Sequence, residues 1–389
     1  MARILTLPSD LLNYSGSRDL EGPLLHSAGT HDDRPGSASG RRHPEDSMLL
    51  SRLAAAAFAL AALPAFAQEI TLKVAHFWPP NAMPPSTLLV PWCDKIAKDS
   101  SNRLKCQIYP AMQLGGTPPQ LIDQAKDGVA DIVWTLPGYT AGRYPMMEVF
   151  ELPFMSATAE ATSQAAWEYY DKYARKEFPG IHMLVVNVHD NGYVHTREKQ
   201  VKTMADFKGL KMRAPTRQTN KMLAALGASP VAMPLPALAD ALSKGVVDGY
   251  LLPWEVIPSI KAHELTKYDS ETDPKSRALY TAVFTLAMNQ AKYDSLPADL
   301  KKVIDQNSGA AAAKAFGKQW DASAPPARKL AVERGNTFYV IPASELANWE
   351  KATANLDEEW VKDVTAKGHD GKMLLQSARD LIKKYEGAK

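Results

Sequence analysis

Gln124-Ala-Lys-Asp-Gly-Val-Ala-Asp-Ile-Val-Trp134 and Ala241-Leu-Ser-Lys-Gly-Val-Val-Asp-Gly-Tyr-Leu-Leu-Pro-Trp254 follow one plan. Each reads as the end of a helix, a glycine, two small residues, an aspartate and an apolar strand that runs toward an aromatic ring. Gly128 and Gly245 suit the left-handed position that closes a helix, because no Cβ opposes a positive φ there. Asp131 and Asp248 then start the strands. Two α/β lobes of similar build would produce such an echo, so a two-lobed α/β fold is the expectation.

Outward from the first copy, residues 70–76 alternate like a strand, and a Pro-rich segment leads to a helix over about 86–98. A second strand is expected over 104–109. Leu114-Gly-Gly-Thr-Pro-Pro119 then starts a helix over 119–126, with prolines in the first turn where the missing N–H costs nothing. The order β-α-β-α is that of α/β proteins. Around the second copy, an apolar strand over 181–188 reads as opening the second lobe. From Leu296 the period turns helical, over 300–319, 344–366 and 371–385, with one strand at 337–341. No low-complexity linker separates the lobes, so the chain is expected to cross between them more than once. Lobe I is drawn at 68–191 with part of 280–320, and lobe II at 192–279 with part of 321–389.

Residues 48–67 hold Met48-Leu-Leu-Ser-Arg52, an apolar run and Pro64-Ala-Phe-Ala67, the charged start, apolar core and small-residue end of a secretion signal cut after Ala67. Residues 1–47 are polar and without period, an upstream or disordered segment. The 389-residue chain has 45 basic and 43 acidic residues, a balance that argues against nucleic acid as a partner, and no apolar run long enough to span a bilayer. Its two cysteines, Cys93 and Cys106, are equally readable as a disulfide formed in an oxidising compartment or as two buried thiols.

Asp206-Phe-Lys-Gly-Leu-Lys-Met-Arg-Ala-Pro-Thr216 puts Arg213 at the tip of an apolar strand, immediately before a turn. Strand tips of open α/β sheets are where ligands sit, and a guanidinium fork matches a carboxylate. Trp78, Trp134, Tyr139, Tyr193, Trp254 and Tyr280 also fall at strand ends and are candidate pocket walls, although Trp134 reads equally well as core. Thr216 is an expected helix N-cap whose dipole favours an anion, Asn220 lies one turn on, and Arg217 reads as an ion-pair partner. Signatures of hydrolases, phosphate loops, zinc proteases and thiol redox motifs are absent. His182, His189 and His195 lack ligand spacing, so neither metal nor cofactor is expected. A rival reading pairs His195 with Asp190 as the acid and base of a secreted enzyme.

Leu72-Lys-Val-Ala-His76, Tyr109-Pro-Ala-Met-Gln-Leu-Gly115, Asp127-Gly-Val-Ala-Asp-Ile132, Tyr144-Pro-Met-Met-Glu-Val-Phe-Glu-Leu-Pro-Phe154, Phe207-Lys-Gly-Leu-Lys-Met-Arg-Ala-Pro215 and Gly227-Ala-Ser-Pro-Val-Ala-Met-Pro234 occur in this order. Together they resemble the DctP-type solute-binding proteins of tripartite ATP-independent periplasmic (TRAP) transporters. The resemblance implies a periplasmic binding-protein fold, with a ligand cleft between two lobes and long C-terminal helices bracing both. It also implies a non-enzymatic role in the periplasm, the capture of a small organic acid for membrane permease subunits. Arg213 then falls on the arginine that pairs with the substrate carboxylate, while Tyr193, His195 and Thr216 would donate hydrogen bonds. Two departures lower the polarity: Gly192-Tyr-Val-His-Thr196 where many members have a second arginine, and Tyr250-Leu-Leu-Pro-Trp254 where many have a Gln-Glu-Asn run. A monocarboxylate with an apolar or aromatic remainder fits better than a dicarboxylate or a sugar acid. The alternative of the same ancestry is a periplasmic sensor subunit, and Glu255 beside Trp254 leaves room for a cation at the site.

Overall fold

The computed structural model describes residues 69–273 and 275–387; the segments 1–47 and 48–67 lie outside the described residues. Two sheets organise the chain. The first contains β1 (Ile70–His76), β2 (Leu104–Tyr109), β3 (Ile132–Thr135), β4 (Ile181–Val188) and, much later, β10 (Val283–Asn289), in the order β2-β1-β3-β10-β4. The second contains β5 (Tyr193–Thr196), β6 (Lys211–Ala214), β7 (Ser229–Ala232), β8 (Gly249–Leu252), β9 (Tyr268–Glu271) and β11 (Thr337–Val340), in the order β11-β9-β5-β8-β6-β7.

The echo in the sequence is an echo in space. Strand β3 lies beside β1 in the first sheet as β8 lies beside β6 in the second, each pair parallel. Gly128 ends helix α2 (Leu121–Lys126) at φ +76° and Gly245 ends α5 (Leu238–Ser243) at φ +69°. Asp131 then accepts from the Lys73 amide of β1 at 2.7 Å, and Asp248 from the Lys211 amide of β6 at 2.8 Å. Each aspartate fastens the start of its strand to the neighbouring one, which explains why the motif needs that residue twice.

Three corrections concern extents. Strand β4 does not open the second lobe: it pairs antiparallel with β10 and completes the first sheet, because its nearly continuous burial requires cover on both faces. The expected helix over 300–319 is two, Ala298–Gln306 and Gly309–Glu333. The second continues through Pro325 and Pro326, since Phe316, Trp320, Ala327 and Ala331 keep one buried stripe across them. The expected helix over 344–366 divides at Ala354 into Ala343–Thr353 and Asn355–Thr365.

The chain leaves the first sheet after β4, returns as β10, and reaches the second again through Gly309–Glu333 to β11. Asp321 in that 25-residue helix accepts from the Ala159 and Glu160 amides at 2.8 and 2.9 Å, capping helix α3 (Ala159–Tyr169) and tying the brace to the first lobe. A disulfide joins Cys93 of helix α1 (Val90–Asp99) to Cys106 of β2.

Candidate ligand-binding site

The C-terminal ends of the parallel strands in the two sheets face one crevice, as open α/β sheets dictate. Phe77 and Trp78 follow β1, Tyr139 follows β3, Arg213 ends β6, and Pro253 and Glu255 follow β8; all line one small cavity. Tyr280, Phe284, His189 and Trp320 close it from the crossing segments and the long helix.

Arg213 is completely buried. Its Nε donates to the Met233 carbonyl at 3.0 Å and its Nη1 to the Leu251 carbonyl at 3.1 Å, while Nη2 has no hydrogen-bond partner among the described residues. No carboxylate among them pairs with it. Burial holds the guanidinium below its ordinary pKa, with Tyr139 and Tyr280 beside it pulling the other way. The two carbonyls fix the plane of the fork and aim the remaining nitrogen into the cavity.

Two phenols stand beside that nitrogen. The Tyr139 hydroxyl accepts from the Leu235 amide at 3.1 Å, a bond from the second lobe to the first, so its own proton is left to donate. The Tyr280 hydroxyl is buried with no partner among the described residues. Burial raises both phenols, Tyr280 well above its ordinary value, so both remain donors at neutral pH. Three donors therefore converge with no carboxylate among the described residues to meet them.

The walls are aromatic. Phe77 stacks on Trp78 with centroids 4.0 Å apart and meets Tyr139 edge-on at 5.4 Å; Phe284 stacks on Trp320 at 5.2 Å. Burial pushes His189 down to about 3, so it is a neutral ring here, its Nδ1–H donating to the Asp190 carbonyl at 2.5 Å. Glu255 is the polar exception. It is buried, with Asp190 as its neighbour; burial lifts Asp190 to about 7, and burial together with the Asp190 charge lifts Glu255 well above the carboxylic range.

Of the candidates from sequence, Arg213, Trp78, Tyr139 and Tyr280 come together on this cavity. The other five are elsewhere. Trp134 is core behind Trp78, centroids 4.8 Å apart. Trp254 turns away and donates from Nε1 to Glu271 at 2.9 Å, lining with Tyr193 a separate polar cleft. His195 is buried in the second sheet between Asp269, 2.7 Å from Nδ1, and the Leu252 carbonyl, 3.1 Å from Nε2. That removes the enzyme reading's acid–base pair, because Asp190 sits with Glu255 instead. Thr216 bonds Thr219 at 3.1 Å within its own helix cap, one residue beyond the wall residue Pro215. Arg217, opening helix α4 (Arg217–Ala225), is the expected ion-pair residue, bridging Glu148 and Asp363 at 2.9 and 2.8 Å. Sequence reasoning passed over Glu255 as a wall, although an acid three residues past an apolar strand marked it, and Trp320 and Phe284, whose apolar surroundings look like plain core.

The model of the bacterial extracellular solute-binding proteins, family 7, named DctP, matches residues 74–363. A TRAP solute-binding protein from Rhodoferax ferrireducens T118, solved with copurified benzoate, is 52% identical and superposes with a TM-score of 0.81 over 82% of this chain and 99% of its own. A marine-metagenome TRAP solute-binding protein specific for aromatic acid ligands, solved with 3-hydroxybenzoate, is 50% identical with a TM-score of 0.80 and the same coverage. The outer membrane transporter protein TsaT of Comamonas testosteroni is 27% identical over 334 residues, 84% of this chain and 96% of that protein.

Proposed function

We propose, for a chain that belongs to family 7 of the bacterial extracellular solute-binding proteins, the DctP family, the capture of an aromatic monocarboxylate in the periplasm and its delivery to TRAP permease subunits. The fold is that of the family's two-lobed receptors, and the two solved relatives about half identical to this chain are solute-binding proteins. The observation that carries the ligand reading is Arg213, a fully buried guanidinium with one nitrogen facing an aromatic-walled cavity and no protein carboxylate paired with it. Leaving such a charge buried without a counter-charge costs several kcal/mol, so the site is complementary to one anion. Tyr139 and Tyr280 would donate to the second carboxylate oxygen, and the aromatic cluster of Phe77, Trp78 and Phe284 would pack against the ligand ring. A second carboxylate would meet apolar walls or Glu255. The aromatic-acid ligands of the two relatives about half identical to this chain support the same reading.

The test is calorimetric titration of protein that has been unfolded and refolded to remove carried-over ligand. Benzoate should bind and succinate should not. Arg213→Ala should weaken benzoate by about a hundredfold or more, the loss of charge-assisted hydrogen bonds. Equal benzoate affinity in the variant and the parent would remove Arg213 as the anchor.

A further inference from the structure

Glu255 is a carboxyl group that the capture of a simple benzoate does not use. It lines the same cavity as Arg213, it is 5% exposed, and neither carboxyl oxygen has a well-formed hydrogen-bond partner among the described residues. Its neighbour Asp190, also buried, has one unpartnered oxygen. Two carboxyl groups side by side out of water hold at least one proton between them, since both cannot ionise. Glu255, the member of the pair that lines the cavity, presents lone pairs there without the full charge that would repel the bound anion. Buried polar atoms are costly unless they are met, and here the surrounding walls are aromatic or aliphatic.

We propose that Glu255, positioned by Asp190, is a second recognition group that accepts a hydrogen bond from a hydroxyl on the ring of the bound acid, so that the preferred ligands are hydroxylated aromatic monocarboxylates. The inference rests on the aromatic-acid reading above. Arg213, ending β6, holds the carboxylate, and Glu255, following β8, holds the hydroxyl. Unsubstituted benzoate then binds with Glu255 unmet and pays for it in affinity. A dicarboxylate would bring a second charge against the carboxyl pair and is rejected.

The experiment compares benzoate with 2-, 3- and 4-hydroxybenzoate by titration calorimetry, on refolded parent protein and on Glu255→Leu, with Glu255→Met in reserve should the leucine variant not fold. In the parent, at least one hydroxybenzoate should bind about tenfold or more tighter than benzoate, the worth of one buried hydrogen bond. In the variant that preference should vanish, with benzoate and the three hydroxybenzoates binding within about threefold of one another and benzoate no weaker than to the parent, since no carboxyl is left unmet. Equal affinities for benzoate and all three isomers in the parent would overturn the proposal, as would a variant that loses benzoate and hydroxybenzoate by the same factor. Failure of every aromatic acid to bind the parent would instead bring down the underlying reading as well.

Discussion

A guanidinium is among the most expensive groups to take out of water, and Arg213 is taken out of it completely. The same logic applies to Glu151, buried near Glu148, where burial first and the Glu148 charge second lift its carboxyl to about 8. Its unfolded value is that of an ordinary glutamate. The protonated folded form is therefore favoured below that value, and stability is lost progressively as pH rises from about 4.5 through 8. Glu151→Gln should thus raise the melting temperature by several degrees at pH 8 and by little at pH 4; a gain of the same size at both pH values would contradict the assignment. Gly192 offers a second test. Its amide donates to the Tyr280 carbonyl at 3.2 Å, and a Cβ there would overlap the Tyr280 ring edge. Gly192→Ala should displace that phenol and weaken aromatic-acid binding about tenfold, read by titration. Arg213 was legible in the sequence because a charge at the tip of an apolar strand before proline has few other uses. Trp254 was not, because whether an aromatic past a strand end turns into the cleft or out of it depends on the twist of the sheet and on the acceptor waiting at Glu271, two facts that sequence spacing does not carry.

Among the elements, helix α1 and strand β2 are held by the Cys93–Cys106 disulfide, closing a loop with a sequence separation of 13. Loops of that size stabilise by roughly 3 kcal/mol through the unfolded chain, so Cys93→Ser with Cys106→Ser should lower the melting temperature without altering ligand affinity; lost affinity would mean that the link also shapes the cavity. Helix α4 carries a different kind of contact. Arg217 joins Glu148 of the first lobe to Asp363 of the C-terminal helix Asn355–Thr365, and Glu148 is 4% exposed. Arg217→Ala leaves that carboxylate with only the Gln218 amide at 2.9 Å among its side-chain donors, and should cost about 3 kcal/mol of stability in the ligand-bound form, measured by denaturation with benzoate present. Local signals gave these elements away wherever they were complete: a glycine stop, a capping threonine, an alternating strand. The helix Gly309–Glu333 escaped them because its two prolines argue for a stop, and only the tertiary burial of Trp320 and Ala327 overrides it.

For the whole molecule, the doubled helix–Gly–x–x–Asp–strand motif made two lobes readable, since each copy is contiguous in sequence. The return of β10 between β3 and β4 was not, because strands roughly a hundred residues or more apart are joined by hydrogen bonds that leave no pattern in either one. Closure of the lobes is expressed in the bond from the Leu235 amide to Tyr139 and in the Arg217–Glu148 pair, both of which need the lobes together. Arg213 belongs to neither of these contacts. Of its two carbonyl partners, Leu251 lies in β8 of the same sheet as the arginine and Met233 directly follows β7, so one lobe alone holds the fork in its working pose. Capture and retention are for that reason expected to be separable in time, association following the second lobe and residence time following how firmly the first lobe folds down over it. Tyr139→Phe should accordingly speed dissociation several-fold while leaving association unchanged in stopped-flow fluorescence, and the protein would tune how long it keeps its cargo without touching how fast it finds it.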